Sequence, residues 1–227
     1  MVNKASNRRI KLIPILVGLG VIIGFTRLGF WQLDRADEKA QLFEAFAASK
    51  STLQAAVYQD DTDYPAFTQV EIKAELDIEH ILLLDNQIHH GQVGVHVWVP
   101  AKIVDTENWM LINYGWVPIA RDRRSLPQIK ITDQMGLQTL KGMIKNPPQG
   151  GIRLGEDTPL TDTWPQLITY LDLDSISAKL SRRFKSQVLL LISDDPEMVF
   201  VQQWEPDLMP PEKHKGYAFQ WFSMAAA

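Results

Sequence analysis

Cysteine is absent from all 227 residues, so disulfides, thiolate metal sites and a cysteine nucleophile are excluded. A long basic block is missing too. The chain carries 23 Lys and Arg against 27 Asp and Glu, and its net charge of −4 becomes −8 once Lys4, Arg8, Arg9 and Lys11 are set aside. Nucleic-acid binding needs a basic face to neutralise phosphates, so nucleic acid is not an expected partner. Gly150–Gly155 lacks both the G-x-G-x-x-G spacing and a Lys-Ser/Thr tail, which leaves no phosphate cradle. Ser125, Ser175, Ser177 and Ser181 have no nucleophile-elbow context, and Asp194 and Asp195, beside Pro196, read as a turn rather than a carboxylate pair. No catalytic constellation emerges, and an enzyme is not expected.

What the chain does have is one long apolar run near its start. Met1–Lys11 holds four cations and no acid, and Leu12–Thr26 is uncharged. Continued to Leu33, the stretch is 22 residues, about 33 Å as a helix, against a hydrocarbon core of about 30 Å. Arg27 interrupts it in its last third, with Trp31 four residues on along the same face. Near a helix end an arginine snorkels to the headgroups, where tryptophan is also at home. The basic start places the N-terminus in the cytoplasm and the bulk of the chain outside. A cleaved signal peptide is the alternative, but the nearest Ala-x-Ala pattern, Ala45–Ala47, lies about twenty residues past the apolar core. Without a long Arg- and Ser-rich presequence, a bacterial inner-membrane protein is favoured over an imported organellar one.

Beyond the anchor the expected class is α+β, a mostly antiparallel β domain with a few helices. Residues 1–11 form a cytoplasmic N-terminus, 12–33 the membrane helix, 34–212 the extracytoplasmic domain and 213–227 the start of a second membrane helix. Arg35–Lys50 continues as an amphipathic helix through Leu42, Phe43, Phe46 and Ala47. Strands are expected over Phe67–Leu76, Ile81–Asp85, Val93–Pro100, Trp109–Val117, Gln138–Ile144, Val188–Ile192 and Val199–Gln203, with a turn at His89–Gln92. Arg121–Pro127 and Asn146–Pro159 read as loops. Leu173–Leu180 reads as a helix capped by Asp174 or Ser175. From Tyr217 an aromatic-led apolar run of 11 residues ends the sequence, too short to span a bilayer. Either the chain is cut there or the segment dips into the interface.

Several separated blocks resemble the surfeit locus protein 1 family, assembly factors for cytochrome c oxidase. Leu28, Gly29, Trp31, Gln32, Arg35 and Lys39 match that family's first-helix exit. Tyr64, Phe67 and Val70 are similar to its first strand. Leu82, Leu84, Asn86, Gly94 and Pro100 follow, and Leu111–Pro118 (LINYGWVP) resembles its central LVNRGWVP, with Tyr114 where the family usually carries arginine. Trp164 and Asp172 fit a later block, and His214, Tyr217, Ala218, Gln220, Trp221 and Phe222 resemble the start of its second membrane helix. The resemblance implies a two-span protein whose domain lies in the periplasm or intermembrane space. It also implies help in delivering or retaining haem a while oxidase subunit I matures, alongside other assembly factors.

Under that resemblance His214 is the expected haem-iron ligand, since a neutral imidazole is a good axial donor. Tyr217, Trp221 and Phe222 follow it at helical spacing and suit a porphyrin face. The alternative is an ordinary interfacial belt around Lys213 and His214. Trp31 and Arg35 share a helical face, with Gln32 and Lys39 nearby, and suit haem propionates, acids on an oxidase subunit, or simple anchoring of the helix. His80, His89, His90 and His96 do not suit zinc or copper, which need three or four ligands converging at about 2 Å. His89 and His90 are expected to point apart across their turn. Asn113, Gly115 and Trp116 lie on one strand, where Gly115 permits a bulge or a close backbone approach and Trp116 reads as core. A cofactor-free scaffold in an envelope complex is the competing function.

Overall fold

The computed structural model describes residues 4–50, 54–120, 125–131, 136–148, 159–204 and 209–227. Two compact units emerge, one of Met1–Ala47 with Pro206–Ala227 and one of Ala48–Glu205. Helix α1 runs unbroken over Lys4–Lys50, so the apolar run and the amphipathic continuation are one element. Its described part from Leu12 is long and apolar enough to cross a membrane, with a mean hydropathy of 2.0 over 18 residues and almost no burial. Leu12, Ile13, Ile15, Leu16 and Val17 stand exposed.

In the second unit the strands are β1 (Ala56–Val57), β2 (Gln69–Leu76), β3 (Leu82–His89), β4 (Gln92–Ile103), β5 (Asn108–Pro118), β6 (Leu137–Lys145) and β7 (Gln166–Ile168). Helix α2 (Leu173–Leu180), β8 (Arg183–Phe184) and β9 (Val188–Leu191) follow. Strands β2, β6, β9, β5 and β4 pair in that order, and β2 pairs β4 again to close a five-stranded barrel. All contacts around it are antiparallel except β5 with β9, so the barrel is mixed. The alternation read from the sequence explains its filling. Val70, Ile72 and Ala74 from β2 and Val95, Val97 and Val99 from β4 point inward, each 0–1 % exposed, against Met110, Ile112, Ile144 and Leu189. On the opposite face Leu82 and its register partner Trp98 are also buried, and so is Ile176 of α2.

Differences from the sequence reading have local causes. The expected strand Val199–Gln203 is a single bridge, Val201 to Trp116, because the same edge of β5 is already shared by β8 at Asn108–Trp109 and β9 at Ile112–Asn113. Helix α2 is capped by Asp172, whose carboxylate accepts from the Asp174 and Ser175 amides at 3.1 and 3.3 Å, and not by Asp174 or Ser175 themselves. In the β4–β5 pairing Val97 faces Gly115 and Trp98 faces Asn113, which leaves Tyr114 as the extra residue of a bulge. Gly115 there has φ of 134°, and a β-carbon on it would lie 2.8 Å from the Val201 carbonyl oxygen, so the expected close approach is present. Most of the expected loop Asn146–Pro159 and part of Arg121–Pro127 lie outside the described residues.

In the first unit α1 is joined by α3, Pro211–Ala226, which starts with proline in its first turn as a helix N-terminus tolerates. Phe25 meets Trp221, while Gln32 meets His214, so the chain directions oppose and the two helices form an antiparallel hairpin.

Candidate functional site

The hairpin seam is set by residue size. On α1, Gly29, Gln32 and Ala36 fall three to four apart and share a face, and both Gly29 and Ala36 are buried. On α3, Pro211, His214 and Ala218 do the same, with Pro211 and Ala218 buried. Small residues let two helices approach closely. The Phe222 ring fills the space over Gly29 and meets Phe30 edge-on at 5.2 Å, and Trp221 leans on Phe25 at 5.4 Å.

Within that seam His214 is half-buried, and its Nδ1 lies 2.8 Å from Oε1 of Gln32. The bond joins positions 182 apart in sequence and fixes the imidazole by one ring nitrogen. Gln32 stood out in the sequence as part of the resembling first-helix block and as a neighbour of Trp31, with no partner of its own. The signal for a larger role was its place on the Gly29–Ala36 stripe, where a polar side chain needs a partner from the approaching helix.

The remaining candidates sit on the flanks. At about 100° per residue, Trp31 and Arg35 point to one side of the Gln32 direction, and Tyr217 leaves α3 on the matching side. Trp31 is 49 % and Tyr217 43 % exposed. Arg35 lies over the Trp31 ring at 5.7 Å and pairs with Glu38, which Lys39 also reaches. The Arg35 hydrogen bond, then the bond and charge of Lys39, hold the Glu38 carboxyl below its usual range. The structure thus groups His214 with Gln32, and Trp31 with Arg35, while Trp221 and Phe222 serve the packing of the hairpin.

The other four histidines are dispersed over the barrel unit. His80 bonds to Asp77 and packs edge-on to Trp164, and His96 bonds to Asn113. His90 and Gly91 both have positive φ, the mark of a type I′ hairpin turn. His89 and His90 do not point apart as expected: their rings stand 4.3 Å from each other, because the left-handed φ of 47° at His90 turns its side chain back. Among the described residues no three His, Asp or Glu side chains converge as metal ligands.

Asp77 anchors a charged group in the barrel unit. Burial raises its carboxyl pKa, but the bonds and charges of Arg182 and His80 outweigh that and hold it below the usual value. Arg182 in turn stacks on Trp109 at 3.9 Å. Tyr114, in the position where arginine was expected from the resemblance, is a core residue at 2 % exposure against Phe200, and burial pushes its hydroxyl pKa up.

A comparison with curated proteins returns no match. The model of the SURF1 family matches residues 19–226, from within the apolar part of α1 to the end of α3. The closed mixed barrel, α1 from residue 19 onward and the helix that returns to it lie inside that match, and the chain belongs to the SURF1 family, which is linked to cytochrome oxidase assembly.

Proposed function

We propose that this protein is a membrane-anchored, non-enzymatic assembly factor that helps deliver or retain haem a while subunit I of a haem–copper cytochrome c oxidase matures. One observation carries the reading: the His214 imidazole, on the returning helix, is held from α1 by Gln32 at 2.8 Å. A haem iron takes a histidine as axial ligand, and this donor is half-buried, oriented and, among the described residues, bonded through one of its two ring nitrogens. The donor chemistry therefore fits the group. Haem a, when bound, supplies the redox-active iron, and the chain's residues bind and orient it. In this reading His214 would ligate the iron, Tyr217 and Trp221 would flank the porphyrin, and Arg35 with Trp31 would offer a cation and a ring to a propionate or to an acidic partner surface.

The proposed setting is a bacterial inner membrane, with residues 12–33 crossing it and 213–227 starting a second span. Lys4, Arg8, Arg9 and Lys11 keep the N-terminus in the cytoplasm by the positive-inside rule, which leaves 34–212 in the periplasm beside subunit I and other assembly factors. Haemin titration of the purified full-length protein in phospholipid nanodiscs tests the ligand. His214→Ala is expected to weaken binding at least about tenfold. Equal affinity of the two proteins would remove His214 as the ligand.

A cofactor-free scaffold is the second reading. It is favoured by the packing of Trp221 and Phe222 against Phe25, Gly29 and Phe30, which commits those aromatics to holding the helices together. It expects His214→Ala to assemble normal oxidase.

A further inference from the structure

We infer that Gln32 is a positioning residue that fixes His214 as the Nδ1–H tautomer and leaves the ring's lone pair on Nε2. A neutral imidazole carries one N–H and one lone pair, and whichever nitrogen holds the hydrogen must find an acceptor. An amide oxygen only accepts. With Oε1 of Gln32 2.8 Å from Nδ1, the hydrogen belongs on Nδ1, and the nitrogen able to ligate is Nε2, the one not engaged by the Gln32 amide. The tautomer itself follows from the helix hairpin, and only its functional consequence rests on the haem reading.

Gln32 is placed for this by the seam. Gly29 and Ala36, one turn before and one after it, carry too little side chain to hold α3 away, so an amide at position 32 reaches across to the facing helix. Other polar side chains nearby are engaged within their own helices: Thr26 donates to the Ile22 carbonyl, Ser223 to the Phe219 carbonyl, and Arg35 binds Glu38. Half-buried between two helices, the His214–Gln32 bond meets less competition from water than an exposed pair would. A ligand histidine whose second nitrogen is so held is fixed in ring orientation before any metal arrives, and losing such a partner typically costs about 10–100-fold in metal affinity.

The test is 15N NMR of the histidine-labelled full-length protein in nanodiscs, free of haem and in alkaline buffer where imidazoles are neutral. Loss of one signal set in His214→Ala assigns the residue. Wild type is expected to show His214 as the Nδ1–H form. Gln32→Glu, which keeps an acceptor of the same reach, retains it. Gln32→Leu loses it in favour of the Nε2–H form. A wild-type His214 already in the Nε2–H form overturns the inference without any Gln32 variant needing to fold, and so does an unchanged tautomer in Gln32→Leu. In the haemin titration Gln32→Leu is expected to weaken binding about tenfold or more and Gln32→Glu to stay near wild type. If haemin binds His214→Ala as well as wild type, the haem reading fails while the NMR still decides the tautomer.

Discussion

The Phe222 ring occupies the place where a β-carbon on Gly29 would sit, 2.5 Å from its nearest ring atom. Residue 29 is therefore glycine because α3 closes on it. Gly29→Ala is expected to loosen the hairpin by about 1–2 kcal/mol, since the displaced atoms belong to a ring that can swing, and Gly29→Val by more. Phe222→Leu should relieve much of the cost of Gly29→Ala. A double-mutant cycle on the thermal midpoint in detergent reads this directly, and additive effects would show that the two residues do not share one space.

Gly115 poses a harder constraint. Its φ of 134° lies where side chains are strained, and the atom that a β-carbon would meet is the backbone oxygen of Val201, fixed in the bridge to Trp116. Gly115→Ala is expected to destabilise the barrel by about 2–3 kcal/mol, seen as a lower midpoint of tryptophan fluorescence unfolding. A midpoint within error of wild type would contradict the bulge geometry.

Asp77 gives the fold an acid limit. Its folded pKa lies below the ordinary value of about 3.9, so its contribution is present above that pH and is lost as pH falls through the folded pKa. Asp77→Asn is expected to cost about 2 kcal/mol at neutral pH, the worth of hydrogen bonds to a charged group, with the gap to wild type closing below about pH 4. A gap that stays constant down to pH 3 would place the effect in packing instead of in the charge.

Trp31 and Arg35 are exposed on the hairpin flank, so neither supports the barrel core. Replacing both with alanine is expected to leave the unfolding midpoint of the barrel within about 0.5 kcal/mol of wild type while reducing co-purification of oxidase subunit I. Unchanged co-purification would remove their role as a partner surface.

The strands that carry long alternation or long apolar runs were legible to within a few residues: Val93–Pro100 lies within β4, Trp109–Val117 within β5 and Gln138–Ile144 within β6. Strands β1, β7 and β8 were not legible, because two or three residues hold no period. Barrel closure through Ala74–Ile103 and the parallel β5–β9 pair were equally hidden, since pairing between distant strands leaves no local mark. At the candidate site, His214 could be read through resemblance. Gln32 was legible in the same way, but its bond to His214 was not, because the two meet only when α3 is laid against the Gly29–Ala36 stripe.

The most direct test of the account is the reduced-minus-oxidised optical spectrum of membranes from cells that lack this gene and are complemented with wild type or His214→Ala, measured with subunit I abundance. The expected result is a haem a band restored by wild type and not by His214→Ala, while subunit I accumulates in both. A full haem a band with His214→Ala, or without any copy of the gene, would contradict it.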